Sequence, residues 1–149
     1  MLLQFGSLIA DLPDGWIDCT EDVPAPDAPF TLAKEDGVGA LQFTTARYLS
    51  GKVPHAMRTD LGEWLEERAI LDGWGDPIRF ETGTNSMMFA SGEYRHGPDF
   101  MKAWYLSDGR NFAFATYVCE WGERDRELGE VNAIVGTLRF SEDGPETDD

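Results

Sequence analysis

The stretch from Phe100 to Trp121, FMKAWYLSDGRNFAFATYVCEW, constrains this chain most. Two apolar, aromatic-rich runs flank the turn signal Ser107-Asp108-Gly109, and together they predict a β-hairpin. Trp104, Tyr105, Phe112, Phe114, Tyr117, Val118 and Trp121 suit a pleated surface, and neither run carries a helical period. Two turns fit. A two-residue Asp108-Gly109 loop pairs Leu106 with Asn111 and puts Trp104 on a face with Ala113, Ala115 and Tyr117. A type I turn with Gly109 as a bulge pairs Leu106 with Arg110 and puts Trp104 on a face with Phe112, Phe114 and Val118. The bulged form is preferred, because it gathers the large side chains on one face and leaves Ala113 and Ala115 on the other.

A chain of 149 residues, 42% of them hydrophobic, fits one domain with a sizeable core. Its 28 acids against 12 bases give a net charge of −16. Glu142 to Asp149 holds five acids and no base, so the rest still carries 23 acids against 12 bases. The body of the domain is itself acidic. Such a surface disfavours nucleic acid and anionic membrane, and favours a basic protein partner or simple solubility. Cys19 and Cys119 form no CxxC pattern, and Cys119 reads as a small buried hydrophobe. Met1 to Ala10 lacks the basic and apolar regions of a signal peptide, and no apolar run is long enough to span a membrane, so a cytoplasmic protein is expected.

Along the chain, Leu2 to Ile9 reads as short strands divided by Gly6-Ser7. Leu12-Pro13-Asp14-Gly15-Trp16 is a turn into another strand, and Thr20 to Pro29 is an acidic, proline-rich loop. Phe30 to Ala33 and Gly39 to Tyr48 read as strands joined by Lys34-Glu35-Asp36-Gly37 in a second hairpin. A helix is expected from about Thr59-Asp60, with Asp60 and Glu63 at capping-box spacing. Its apolar stripe is Met57, Leu61, Trp64, Leu65 and Leu71, and Gly73 and Gly75 end it. Ile78 to Thr82 and Met87 to Tyr94 follow as strands. A second helix, about Arg124 to Val135, has the stripe Leu128, Val131, Ile134, Val135 and Leu138, before a short strand at Leu138-Arg139-Phe140. This order predicts an α+β fold, a mostly antiparallel twisted sheet with two helices packed on it. Residues 1–140 make the single domain, and 141–149 an acidic tail expected to be disordered.

Asp14-Gly15-Trp16, the Gly39 to Tyr48 strand, the Phe100 to Trp121 hairpin and the terminal Ile134-Val135-Gly136-Thr137-Leu138-Arg139-Phe140 together resemble the PsbP-like and DcrB-like fold group. In that group a Gly-Trp turn leads into paired strands, then a helix, a strand meander and a C-terminal helix. The resemblance implies protein binding, since members mostly bind other proteins and cytoplasmic bacterial ones include adaptors for secreted toxins. In general character the acidic chain is also similar to immunity proteins of bacterial toxin systems. Neither likeness supplies functional residues.

The candidates for chemistry are few. His55 and His96 sit beside turn-forming residues and read as surface histidines rather than catalytic or metal-binding groups. A Gly-x-Ser-x-Gly elbow is absent, Gly37-Val38-Gly39 lacks the rest of a phosphate loop, and pairs such as Glu66-Glu67 or Glu120 with Glu123 arise by chance in an acid-rich chain. No catalytic residue, metal site or cofactor is therefore expected, and an enzyme acting on a small molecule is the third-ranked reading. The first helix says more. With Leu61 at 0°, Glu66 falls at about 140°, Ile70 at about 180°, Glu63 at about 200° and Glu67 at about 240°, with Trp74 near them if the helix continues. Apolar anchors ringed by charge are an interface arrangement. Glu63, Glu66, Glu67, Ile70 and Trp74 are accordingly the expected partner-binding residues. Arg68 falls inside the apolar stripe, and its charge there marks an imperfect register. The expected function is a non-enzymatic, acidic, immunity-type inhibitor of a bacterial toxin or effector with a basic surface. The alternative is an adaptor or chaperone for a secreted effector, which needs an apolar groove.

Overall fold

Ten strands and two α-helices, with a 3-10 turn at Trp121–Glu123, form among residues 2–20, 30–47, 58–109 and 111–141, the parts of the chain that the computed structural model describes. They are β1 (Leu2–Phe5), β2 (Leu8–Asp11), β3 (Trp16–Asp18), β4 (Phe30–Lys34), β5 (Gly39–Arg47), α1 (Arg58–Asp72), β6 (Arg79–Thr84), β7 (Met88–His96), β8 (Asp99–Ser107), β9 (Asn111–Glu120), α2 (Arg124–Thr137) and β10 (Arg139–Phe140). Seven strands make one sheet in the order β3-β4-β5-β9-β8-β7-β6, and every pairing in it is antiparallel. The fold is α+β as expected, but the strands do not all join one sheet. β1, β2 and β10 form a separate three-stranded sheet. The sequence shows strands, whereas the division into sheets depends on pairings between distant segments, here Arg139 with Ile9 and Phe140 with Leu8.

The Phe100–Trp121 hairpin supplies β8 and β9 at the heart of the large sheet, and its register differs from both expectations. Trp104 pairs with Ala115 and Leu106 with Ala113. The loop closes one step further out, where the Asp108 N–H donates to the Asn111 carbonyl at 3.4 Å and the Asn111 N–H donates to Asp108 Oδ1 at 2.8 Å. The bulged pairing is thus overturned: Trp104 lies with Ala113, Ala115 and Tyr117, the face given by the two-residue alternative though not its pairing, while Phe112 and Phe114 face the other way. The physical reason is that both faces of the sheet are covered, so large side chains are needed on each. Small alanines on one face receive Trp104 and the core beneath it, and Phe112 and Phe114 meet Trp64 and Tyr105 across the other.

The two helices lie on opposite faces. Val131, Ile134, Val135 and Leu138 of the α2 region join Phe5, Leu8, Leu41, Phe43, Trp104 and Tyr117 in the larger core, with the small sheet on the same side. Leu61 and Leu65 of α1 pack on Ala90 and Ala103 in a second, smaller core. α1 starts at Arg58, so Asp60 lies within its first turn rather than capping it. Its end is a Schellman motif: Gly73 has φ 70°, its N–H reaches the Ile70 carbonyl, and the Trp74 N–H reaches the Ala69 carbonyl. The expected stripe is rotated. Leu61, Leu65 and Ala69 are buried, whereas Leu71 is 82% exposed. The sheet beneath α1 is lined by alanines, so the helix settles where a narrow strip meets them. Met57 and the tail from 142 onward lie outside the described residues.

Trp104 is buried between α2 and the sheet. Trp104→Ala is expected to destabilise the fold by about 3–5 kcal/mol in chemical denaturation. A loss below about 1 kcal/mol contradicts the packing described here.

Candidate functional site

The outer surface of α1 is built by helical periodicity acting on the rotated register. With Leu61, Leu65 and Ala69 held against the sheet, Glu63, Glu66, Glu67 and Ile70 are turned to solvent. Ile70 is 80% exposed, and Leu71, which the sequence placed in the core stripe, stands beside it. Trp74 does not join them. It is half-buried and packs over the sheet, 5.2 Å from the Tyr94 ring and stacked at 6.4 Å on Phe114. The Schellman turn reverses the chain after Asp72, so extending the helical wheel to Trp74 does not hold. Arg68 resolves its own conflict. Its guanidinium lies 4.3 Å from the Phe114 ring centre and donates to Tyr105 Oη at 3.3 Å and Asp72 Oδ2 at 3.1 Å. The residue covers apolar surface while keeping polar partners.

The sheet continues this surface. Ile78 is 57% exposed and Phe80 36% exposed, and the Phe80 ring lies beside Gly62 of α1. Glu66, one turn after Gly62, lies on the same flank of α1; burial, and then the negative charge of Glu66, push the Tyr94 phenol up from its usual range. Large apolar side chains are thus exposed both at the end of α1, in Ile70 and Leu71, and at the sheet edge, in Ile78 and Phe80. Residues 58–81 carry seven acids against three bases.

A second feature lies on the opposite face. Glu81, Asn85, Lys102, Trp104, Asn132 and Val135 help line a cleft of about 220 Å³ between the sheet and α2. Lys102 is 5% exposed, alternating along β8 with buried Phe100, Trp104 and Leu106. Its Nζ donates to Asn132 Oδ1 at 2.9 Å, lies 3.6 Å from Glu93 Oε2, and sits 5.0 Å from the centre of the Trp104 ring. The period-two pattern Phe100-Lys102-Trp104-Leu106 was the sequence signal for this buried cation. Tyr117 and Glu127 form another buried polar contact. Tyr117 Oη donates to Glu127 Oε1 at 2.8 Å, and the Val38 N–H donates to Glu127 Oε2 at 3.0 Å. These bonds join α2 to β9 and to the β4–β5 turn. Burial pushes the neighbouring Cys119 thiol up, opposite to what a reactive cysteine needs. Cys119 is buried, as the sequence indicated. His96 ends β7 and is exposed, and His55 lies outside the described residues. Among the described residues no group of three or more His, Cys, Asp or Glu side chains is arranged to hold a metal ion, and no helix is long and apolar enough to cross a membrane.

Burial lowers the pKa of Lys102 below 10.5, and the charges of Glu93 and Glu81 act in the opposite sense. Between the lowered value and 10.5, the unfolded chain keeps a proton that the folded chain has released. The contribution of Lys102 to stability therefore rises with pH through that window. Comparing wild type with Lys102→Met by denaturant unfolding, the difference is expected to move in favour of wild type as pH rises from neutral toward 10.5. A difference that does not change with pH contradicts the buried setting of the amine.

No protein-family model and no curated protein matches the sequence. Solved structures do match. The solution structure of cyanobacterial PsbP (CyanoP) from Synechocystis sp. PCC 6803 superposes with a TM-score of 0.60 at 14% identity, covering 90% of this chain and 86% of that one. A Bacteroides thetaiotaomicron VPI-5482 protein of known crystal structure superposes with a TM-score of 0.61 at 10% identity, covering 92% of this chain. The chain spans 46% of the length of that second protein. At such identities a likeness carries architecture alone. The architecture of this domain is PsbP-like.

Proposed function

We propose that this domain acts without catalysis, by binding another protein through the outer surface of α1, and that the partner presents a basic surface. The observation that carries the reading is the exposure of Ile70 and Leu71, 80% and 82%, on a helix whose outward side bears Glu63, Glu66 and Glu67. Each aliphatic side chain contributes roughly 1.5–3 kcal/mol when fully buried, so leaving two in water favours a partner that covers them. The surrounding carboxylates speed the encounter with a basic surface. In its finer form the reading is an immunity-type inhibitor that covers the active site of a bacterial toxin or effector.

The test uses the protein encoded next to this one, with association and dissociation followed separately. Binding is expected to be fast at about 0.05 M salt and slower as salt passes about 0.15 M, where the Debye length is about 8 Å. Charge reversal at Glu63, Glu66 and Glu67 is expected to reduce the association rate more than the lifetime of the complex. Ile70→Ala is expected to shorten the lifetime, because an anchor acts after docking. Equal binding at about 0.05 M and about 0.5 M salt excludes electrostatic steering.

A further inference from the structure

The large sheet ends at β6 on one side and at β3 on the other, and the two edges are unlike. β3 has three residues, whereas β6 has six. In the small sheet the edge strands β1 and β10 have four and two. β6 is thus the longest edge among the described strands, and its residues are exposed except for the half-buried Gly83. One side of β6 pairs with β7, and no described strand pairs with the other. A sheet edge presents a row of backbone donors and acceptors to any extended chain that reaches it.

The side chains beside this edge say what such a chain carries. Phe80 lies on the α1 side of β6, against Gly62, and Ile78, two residues before it, continues that face; α1 rises next to them with Glu66, one turn after Gly62, on the same flank. The result is a step, with the strand as tread and the helix as riser. Apolar side chains of an added strand meet Ile78 and Phe80, while basic ones meet Glu66 on the flank of α1 or Glu81 on the other side of the strand. Seven acids against three bases over residues 58–81 set the sign of the partner. A second copy of this chain fits poorly, since pairing two β6 edges brings together acidic surfaces of molecules carrying −16 each.

We propose that the partner is held by strand addition: an extended segment carrying apolar and basic residues pairs with the open edge of β6, against the wall made by α1. The proposal rests on the protein-binding reading above and names its mode. Main-chain hydrogen bonds supply affinity in this mode, and alternate side chains supply the choice of partner.

The experiment uses the full chain and a short soluble peptide of alternating valine and lysine. Its control is the same peptide N-methylated at every second residue, which removes backbone donors along one edge and keeps the charge. The first peptide is expected to bind at low salt and to slow amide hydrogen exchange within Arg79–Thr84, and the control to bind about tenfold more weakly or worse. Equal binding of both peptides, or protection confined to α1, overturns strand addition and leaves the protein-binding surface standing. If neither peptide binds, both the mode and the basic-partner reading fall. If the protein alone dimerises with β6 protected, the edge belongs to a second copy and the proposal is overturned.

Discussion

The central strands β8 and β9 have both faces covered, and this constraint organises the molecule. One face carries Phe100, Trp104, Leu106, Ala113, Ala115 and Tyr117 into the core beneath α2 and the small sheet. The other carries Ala103, Tyr105 and Phe114 beneath α1 and Trp74. A strand covered on one side can leave its second face polar, but a strand covered on both must divide its bulk between them. The facing of the hairpin follows, because only registers that put Trp104 with Ala113, Ala115 and Tyr117 give each face side chains that fit its cover.

Polar groups caught inside these layers are met by partners. Glu127, 4% exposed, accepts from Tyr117 and from the Val38 N–H. Lys102 donates to Asn132 with Glu93 nearby. An unpaired charge at either place is costly, so these contacts hold α2 in one position over the sheet. Most other carboxylates remain outside, and those of α1 surround Ile70 and Leu71. A surface that is both charged and apolar in this way is suited to an encounter governed by charge and a complex held by burial. The strand order places that helix next to β6, whose outer side pairs with no described strand.

Local patterns in the sequence determined much of this. The aromatic runs on either side of Ser107-Asp108-Gly109 specify the central hairpin, because such residues at period two suit only a sheet. The stripe Leu128, Val131, Ile134, Val135 and Leu138 specifies the buried side of α2, with Leu128 half-buried at its margin. The exposure of Glu63, Glu66, Glu67 and Ile70 was equally legible, because the residues opposite them on the wheel include Leu61 and Leu65. Tertiary structure decided the rest. The side of α1 that is buried was set by the alanines at positions 90 and 103, on distant strands, and this left Leu71 in solvent. Trp74 was taken from the acidic surface by the turn at Gly73 and by the rings of Tyr94 and Phe114. The open edge of β6 follows from the strand order, to which Arg79–Thr84 gives no local clue. Periodicity reports what one segment prefers, while register, sheet edges and neighbours depend on contacts between segments far apart in the chain.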